Sequence, residues 1–388
     1  MTTAHIIGAG IAGLALAAAL PRGWEVHLHE ADWDPRAVPT LFGLQAGGLR
    51  ALARLGLEQE VRRRAVRVAE GRLSDARGRT LAHMQMREVD IPLVPRTELR
   101  DLLRGALPAS VRVHRHRVHS ARGLEADLVV GADGVHSRVR RDFWGPASAA
   151  RRLPVTVIRG VIDEDPVGGR FQEVWRADGL FGITPRPGGG INWFATVPAQ
   201  RFSGREEALA HLRRRWEGWA EDPQRVLAHA READTLVNDL WESRWPGRLV
   251  RTMPRAAEAE AVPLAAGDQA AEVRGGADVS GAGLGAPPAG ALGAPGPRYA
   301  VLIGDAAHAM APNLGRGANE SLVDAAALSR LLETHPLPQA LRRYEAARLV
   351  RPQAVRRASR AVLGVATTRH DRLRDRLLGL LPNGPGAP

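Results

Sequence analysis

The segment His5-Ile6-Ile7-Gly8-Ala9-Gly10-Ile11-Ala12-Gly13 decides the fold of this chain. Its glycines have the spacing G-x-G-x-x-G, between a short apolar run that predicts a strand and the Ala/Leu-rich residues 11–20, which predict a helix. In such a turn Gly8 allows the tight bend, Gly10 lets the backbone approach a pyrophosphate, and Gly13 lets the helix pack closely on the strand. The helix N-terminus then offers N–H groups and positive potential to the phosphates.

A second predicted strand, residues 24–29, ends at Glu30. An acidic residue about 20 residues beyond the glycines is placed to accept hydrogen bonds from an adenosine ribose. The alternative is an ordinary strand, turn and helix with incidental glycines. The acid at this position favours a dinucleotide site.

Two further apolar strands end in turns that place an aspartate beside a glycine. Residues 127–131 precede Asp133, and residues 299–303 precede Asp305. Together with the first segment they indicate a flavin site rather than a general nucleotide site. Asp133 also has the position of a helix cap or turn former, because a helix is predicted from Val135 onward.

The third segment carries the most specific pattern. Asp305 is placed to reach a hydroxyl of a flavin ribityl chain, and a loop is predicted over residues 306–314. Residues 315–319 then open a helix that runs through Leu332. Because a reduced flavin is anionic on its pyrimidine side, the positive end of that helix would favour reduction. We interpret His308 as a structural histidine rather than a base.

Composition excludes several classes of chemistry. The 388 residues can hold two fused domains with sizeable cores, and there is no cysteine for disulfides, thiolate catalysis or Cys-ligated metals. The formal charge of +12 comes from arginine alone. These arginines are scattered through predicted helices rather than gathered in a basic tail, which favours a solvated surface over a specific nucleic-acid partner.

Residues 6–20 resemble the core of a signal peptide, with Ala17-Ala18-Ala19 as a cleavage-like site. No positive charge precedes this run, and it is too short to span a bilayer. We therefore expect no export signal and no membrane span, and a cytoplasmic location.

The three segments match a known family. The chain resembles the single-component FAD-dependent aromatic-ring monooxygenases with the para-hydroxybenzoate hydroxylase fold, and within them the branch of salicylate hydroxylase, urate hydroxylase and zeaxanthin epoxidase. The hallmarks are the N-terminal G-x-G-x-x-G, the D-G motif at Asp133-Gly134 and the G-D motif at Gly304-Asp305. The resemblance covers roughly residues 4–252 and 299–360.

The resemblance also implies site residues. Ala12, Glu30 and Ala31 would contact the adenosine and pyrophosphate, Gly43 would lie in a flavin-covering loop, and Arg96 matches a flavin-contacting arginine. Val118 matches a strand position beside the adenine. Motifs and resemblance together give these expected cofactor-binding residues: Gly8, Gly10, Ala12, Gly13, Glu30, Ala31, Gly43, Arg96, Val118, Asp133, Asp305, Gly315, Arg316, Gly317, Ala318 and Asn319.

The expected fold class is α/β, with a Rossmann-like FAD-binding domain interleaved with an antiparallel-sheet substrate domain and a helical C-terminus. The expected divisions are 1–150 for the first FAD-binding part, 151–254 for the substrate-side sheet and helices, 255–297 for a low-complexity, disordered insertion, 298–335 for the G-D part, and 336–388 for C-terminal helices. Strands are predicted at 155–158, 170–175, 180–183 and 191–195, and helices at 204–219, 223–231 and 336–381, the last broken at Pro352.

Two features depart from the family. The chain between Val113 and Asp127 is short, so a hairpin is expected to be missing there. Residues 255–297 are rich in Ala, Gly and Pro, where family members have a short loop.

The resemblance implies that NADH or NADPH reduces FAD, that O₂ forms a flavin hydroperoxide, and that one oxygen is transferred to a small aromatic or other electron-rich substrate by hydroxylation or epoxidation. Because the flavin carries this chemistry, we assign no catalytic base, and no metal site is expected. The protein would be a monomer or homodimer. Candidate pocket residues are Arg159, Glu173, Trp175, Phe181, Trp193 and Phe194, although Trp and Phe at such positions are more often core than substrate contacts. The alternatives are an FAD-binding oxidoreductase without oxygenation, or a nucleotide-binding protein that has lost turnover.

Overall fold

The computed structural model describes most of the chain. The described residues are 1–34, 38–85, 90–177, 179–253 and 298–378. The segment 255–297, for which the sequence predicts a disordered insertion, lies outside them.

Strands and helices alternate along the first third of the chain and separate afterwards. The strands of the described residues are β1 (Thr2–Ile7), β2 (Trp24–His29), β3 (Leu41–Gly43), β4 (Glu70–Asp75), β5 (Thr80–Gln85), β6 (Leu93–Pro95), β7 (Arg112–His114), β8 (Leu128–Gly131), β9 (Arg151–Ile162), β10 (Phe171–Arg176), β11 (Gly179–Pro185), β12 (Ile191–Pro198), β13 (Thr235–Glu242), β14 (Val250–Thr252) and β15 (Tyr299–Leu302). The helices are α1 (Ile11–Ala19), α2 (Ala46–Arg54), α3 (Glu58–Arg64), α4 (Arg96–Gly105), α5 (Arg138–Trp144), α6 (Arg205–Trp216), α7 (Glu221–His229), α8 (Asp305–His308), α9 (Gly317–Thr334), α10 (Leu337–Arg348), α11 (Arg351–Ala366) and α12 (Asp371–Leu378).

A six-stranded sheet brings the three motifs together. Its order is β14-β15-β8-β1-β2-β7, and all neighbours are parallel except β14 and β15. The strands β1, β8 and β15, each followed by a glycine motif, are therefore adjacent, and their carboxyl ends share one edge. Apolar residues on both faces suit strands covered by helices, and Leu128–Gly131 is buried throughout. This confirms the Rossmann-like part of the predicted fold.

A seven-stranded sheet has the order β13-β9-β12-β11-β10-β4-β5. Its pairs are antiparallel except β10 with β4, so the predicted antiparallel sheet is a mixed one. Two of its strands, β4 and β5, come from residues 70–85, within the stretch 1–150 for which the sequence predicts the first FAD-binding part, with elements that contribute to the flavin cleft. Glu70–Asp75 includes a glycine and charged residues and has few β-branched side chains, so its sequence does not predict a strand.

Several predicted boundaries shift. The loop predicted over 306–314 contains the short helix α8 and a 3₁₀ turn at Pro312–Leu314. The predicted break at Pro352 lies at residues 349–350, between α10 and α11, and Pro352 is in the first turn of α11, where its missing N–H costs nothing. Val118, predicted on a strand, lies in the loop after β7, partly buried against the main core.

Candidate active site

The glycine loop after β1 is shaped by backbone contacts. Gly8 has φ +102°, and a Cβ there would lie 2.5 Å from the Ala132 carbonyl oxygen. A Cβ on Gly13 would overlap the Gly8 carbonyl oxygen. By contrast, nothing lies within 4 Å of a Cβ on Gly10, which begins α1 without a side-chain cap. Gly8 and Gly13 therefore provide close packing, while Gly10 leaves room beside uncapped N–H groups, which fits a pyrophosphate.

Glu30 holds this loop. Its carboxylate accepts hydrogen bonds from the N–H of Ala9 at 2.8 Å and of Asp32 at 2.9 Å. The acid thus stands at the carboxyl end of β2, directly beside the glycine turn. Each carboxylate oxygen has a second lone pair, so a ribose contact remains compatible with these bonds. Ala31 follows on the exposed side of the turn.

Asp133 caps helix α5. Its Oδ2 accepts hydrogen bonds from the N–H of Arg138 at 2.6 Å and of Val139 at 3.1 Å, which confirms the capping interpretation. Its Oδ1 is buried and has no hydrogen-bond partner among the described residues. Burial raises the pKa of Asp133, although hydrogen bonds from Ser137 and the helix N–H groups oppose this effect. Its part in cofactor binding stays a prediction.

The G-D turn brings β15 against two helices. Gly304 has φ +57°, and a Cβ there would lie 2.9 Å from the Ala12 Cβ and from the Ser321 Oγ. Asp305 then begins α8, and among the described residues no group donates a hydrogen bond to its carboxylate. A Cβ on Gly317 would be 3.8 Å from Asp305 Oδ1. The free carboxylate therefore faces the start of α9, as a ribityl contact requires.

The start of α9 holds a loop from the other end of the chain. Asn319 accepts a hydrogen bond from the Gln45 N–H at 2.7 Å and donates to the carbonyls of Gly43 at 2.8 Å and Gly315 at 3.0 Å. Arg316 donates to Gln45 and, at 2.6 Å, to Glu320. The side chains of Arg316 and Asn319 are thus committed to protein partners, and they position Gly43.

Gly315 and Ala318, the other residues expected at the cofactor in this region, contribute a backbone conformation and packing respectively. Gly315 has φ +59°, the left-handed conformation that ends the 3₁₀ turn and lets α9 begin. Ala318 packs, partly buried, against the main core. Sequence reasoning missed Gln45, because a loop glutamine carries no pattern that points to a partner about 270 residues away.

His308 belongs to a buried network. Its Nε2 lies 2.6 Å from Asp324 Oδ2, and Asp324 also accepts from Arg348 Nε at 2.6 Å and from the Gly304 N–H at 2.8 Å. Burial lowers the pKa of His308, but the charge of Asp324 more than offsets this and raises it overall. The network agrees with the structural interpretation of His308.

One face of the seven-stranded sheet carries polar groups toward the cofactor-binding elements. Glu173 lies opposite Gly182, Gly182 opposite Phe194, and Phe194 opposite Arg159, so these residues share a face. A Cβ on Gly182 would overlap the Phe194 ring, so the ring lies over the glycine. Trp175 is on the same face and donates from Nε1 to Glu173 at 2.8 Å.

Phe181 and Trp193 lie on the opposite face. Both are fully buried, their rings stack with centroids 5.8 Å apart, and they pack with Trp216 of α6 in a separate core. As pocket residues these two predictions are wrong. A register across several strands decides which face a residue occupies, and single-strand patterns do not contain it.

Other contacts close the cleft on this face. The Leu41 N–H donates to Asn192 Oδ1 at 3.0 Å, which joins the Gly43 loop to β12. Val157, on the face of Arg159, packs with Ala311 and with Leu363 of α11. The sheet face, the Gly43 loop and the segment after α8 therefore surround one region, at the carboxyl edge of the six-stranded sheet.

Arg159 is the least satisfied charge there. Its guanidinium makes one long contact, 3.4 Å to Asn238 Oδ1, and its Nε is buried without a partner in the described part of the chain. Burial, followed by the positive charge of Arg96, lowers the pKa of Arg159 to about 10. Arg96 begins α4, where its N–H bonds the Thr40 carbonyl at 2.9 Å. Burial also raises the pKa of Glu173.

The model of the FAD-binding-domain family matches residues 1–231 and 300–359, most of the chain. The chain belongs to this family. The match includes all three glycine motifs, and the curated relatives below are monooxygenases. FAD is therefore the cofactor of this flavin monooxygenase, with NAD(P)H as the reductant.

Curated relatives span nearly the whole flavin monooxygenase. It is 30% identical over 394 residues to the 3-amino-4-hydroxybenzoate 2-monooxygenase of Streptomyces cremeus, covering 92% of this chain and 85% of that protein. It is 27% identical over 374 residues to the aurachin C monooxygenase/isomerase of Stigmatella aurantiaca, covering 90% and 85%.

Solved structures share the fold. Klebsiella pneumoniae HpxO complexed with FAD and uric acid superposes with a TM-score of 0.75 at 21% identity, covering 97% of this chain and 92% of that one. Pseudomonas aeruginosa PqsL in complex with 2-aminobenzoylacetate gives 0.68 at 23%, covering 97% and 99%. Among the helices of the described residues, none combines the length and apolar character needed to cross a membrane.

Proposed function

We propose that this flavin monooxygenase oxygenates an aromatic substrate that carries a negative charge, and that Arg159 binds that charge. The supporting observation is a partly buried guanidinium with one long contact and no carboxylate partner among the described residues. Burying a cation without a partner is costly, so a ligand anion would stabilise it. The carboxylate or phenolate of an aromatic substrate is such a ligand.

The neighbouring residues supply complementary contacts. Phe194 lies next to Arg159 across the sheet and presents its ring over Gly182, so an aromatic substrate could pack against it. Glu173 lies three strands from Arg159, about 14 Å at the usual strand spacing. Its raised pKa and its bond to Trp175 make it a group that can hold a proton at the far end of the cleft.

The geometry of the glycine loop, Glu30 and Asp305 supports the roles in FAD binding that the sequence predicts for them. Bound FAD supplies the redox chemistry, taking electrons from NAD(P)H and activating O₂. We propose that the N–H groups at Gly10 hold its pyrophosphate, that Glu30 contacts the ribose and that Asp305 contacts the ribityl chain. Gly43 would then cover the flavin, held in place by Asn319, and the sheet face would exclude water from the reacting atoms.

The decisive experiment compares acids with their neutral counterparts. The purified FAD-loaded protein is screened for substrate-stimulated NAD(P)H oxidation and for products that gain one oxygen, using aromatic carboxylates beside their methyl esters. We expect the acids to be turned over in preference to the esters. For an acid substrate, Arg159→Gln should raise KM about 10- to 100-fold, the range of a lost charge-assisted bond. The KM for the corresponding methyl ester should change little in this variant.

Arg152→Gln is the matched control. Arg152 is on the same strand but exposed, and it pairs with Asp239 at 2.6 Å. Equal turnover of acids and esters by the wild-type protein would contradict the proposed substrate class. An Arg159→Gln protein that behaves like Arg152→Gln would remove Arg159 from substrate binding.

We further propose a cytoplasmic location and a monomeric or homodimeric state. The need for NAD(P)H, a cytoplasmic reductant, supports the first. Size-exclusion chromatography with light scattering tests the second.

A further inference from the structure

Five histidines gather on one face of the six-stranded sheet, beside the turn that holds Glu30. His5 lies opposite His27, and His29 lies opposite His114, so side chains from β1, β2 and β7 share a face. The rings of His29 and His114 stack with centroids 4.6 Å apart, and His116, just after β7, meets His29 edge-on at 5.3 Å. The flavin site that the glycine motifs predict does not require this group of histidines.

A hydrogen-bonded chain joins Glu25, His27 and His114. Glu25 Oε1 lies 3.3 Å from His27 Nε2, and His27 Nδ1 lies 2.8 Å from His114 Nε2. The carboxylate accepts from His27 Nε2, and His27 Nδ1 can accept from His114 Nε2. In that arrangement the lone pair of His114 Nδ1 is free. A metal-binding histidine is held in this way, by a hydrogen bond at its other nitrogen.

His29 is arranged similarly. Its Nε2 lies 2.9 Å from His5 Nδ1, while its Nδ1 is buried without a partner among the described residues. His116 is exposed, and neither of its ring nitrogens has a hydrogen bond there. Each of His29, His114 and His116 therefore has a nitrogen that no protein group uses.

We propose that His29, His114 and His116 bind a divalent transition-metal ion of the Zn²⁺ class. One ring nitrogen from each lies within 4.8 Å of the other two. A tetrahedral ion with Zn–N bonds of about 2.0–2.1 Å needs nitrogens roughly 3.3 Å apart, so the rings must close by up to about 1.5 Å. The exposed ring of His116 can rotate to do this, and water would complete the coordination.

The ligand type decides which metals fit, because each histidine would bind the ion through a ring nitrogen. Imidazole ligands suit Zn²⁺, Ni²⁺ and Cu²⁺ and disfavour Mg²⁺ and Ca²⁺.

The location of the three histidines, at the edge of the six-stranded sheet, indicates that the ion would stabilise the fold rather than take part in the reaction. β7 is the edge strand, with three residues paired to β2, and the Glu30 N–H bonds the His114 carbonyl at 3.0 Å. The connection from β7 to β8 is the one that the sequence shows to be short. An ion on His29, His114 and His116 would join β2 to β7 and to the start of that connection. By fixing β7 against β2, it would stabilise the position of Glu30, whose N–H bonds the His114 carbonyl.

The test uses the full-length, FAD-loaded protein without a histidine tag, after treatment with a chelator. Zn²⁺ titration by calorimetry should show one equivalent bound, and Zn²⁺ should raise Tm, whereas Mg²⁺ should do neither. Co²⁺ should give the visible absorption of a tetrahedral site. His116→Ala, at an exposed position, should weaken Zn²⁺ binding at least about 10-fold, because even outer-shell changes cost that much.

His119→Ala is the matched control, since His119 is exposed on the same connection and outside the cluster. It should bind Zn²⁺ as the wild type does. If His116→Ala also binds Zn²⁺ unchanged, the assigned ligands are wrong. If the wild type shows neither the Tm rise nor the Co²⁺ spectrum, the histidines form only a stacked protein surface and the proposal is overturned.

Discussion

Asp324, a buried charge beside the Gly304 turn, is fully paired, whereas Arg159 on the seven-stranded sheet lacks a charged partner among the described residues. Asp324 accepts from His308, Arg348 and the Gly304 N–H, all at 2.6–2.8 Å. Among the described residues, the Arg159 guanidinium has one contact, at 3.4 Å to Asn238 Oδ1, and its Nε has no partner. A buried charge that is paired as Asp324 is needs no ligand and holds the fold, whereas an unpaired one is stabilised when a ligand anion arrives. The pairing of a buried charge thus separates structural from ligand-binding positions.

The largest effect on stability is expected in the buried network around Asp324. Asp324→Ala removes the acceptor that Arg348 and His308 share, which leaves His308 buried without this partner and Arg348 with Glu320 alone. We expect a loss of about 3–5 kcal/mol in the free energy of unfolding, because breaking a buried pair leaves an uncompensated charge. Urea denaturation followed by circular dichroism measures it.

Asp239→Ala is the control for that loss. Asp239 forms an exposed pair with Arg152, and such pairs contribute at most about 1 kcal/mol. If the two variants lose similar stability, burial does not set the value of the pairs, and the comparison fails.

A smaller effect is expected at Asp305, whose carboxylate is available to a ligand. Asp305→Ala should weaken FAD binding about 10- to 100-fold, the equivalent of about 1.5–3 kcal/mol for a lost charge-assisted hydrogen bond. The stability of the apo protein should change little, because no described residue bonds this carboxylate. Titration of the apo variant with FAD tests the first part, and its unfolding curve the second. Unchanged affinity would make Asp305 a turn former only.

The His308–Asp324 pair should give a pH dependence of stability. Because the folded-state pKa of His308 is raised, its contribution is fully present below the unfolded value of about 6.5 and is lost as pH rises through the folded value. His308→Gln keeps a donor but does not titrate. The stability advantage of wild type over His308→Gln should therefore shrink as the pH rises above about 6.5. An advantage that grows with pH would reverse the assigned direction.

The motifs predicted the cofactor side because its constraints are local. Gly8 and Gly13 are required by atoms of the same turn or of the adjacent strand, so a short pattern contains them. The substrate side depends on long-range register. Arg159, Glu173 and Phe194 share a face only because four strands pair as they do, while Trp193, next to Phe194, falls on the other face.

The sequence contains a pattern from which part of the histidine cluster could have been predicted. His27 and His29, and again His114 and His116, have H-x-H spacing, which places both side chains of a strand on one face. What the sequence does not contain is that β7 pairs with β2, since the two are about 80 residues apart. Strand β4 was missed for a similar reason, because pairing with β10 and β5 stabilises a sequence of weak strand propensity.

Exposed charges form a third class and should have the smallest specific effect. The charge of +12 comes from arginines, many of them exposed or in surface pairs such as Arg62 with Asp90 and Arg104 with Asp34. We expect weak DNA binding without sequence preference, lost by about 200 mM salt, because released counterions drive such binding. FAD affinity should fall much less over the same series, since its contacts are short-range and partly buried. A salt series that follows both ligands makes the comparison, with poly-glutamate as an anionic control polymer. Sequence-selective DNA binding that survives physiological salt would show that the arginine surface recognises a partner.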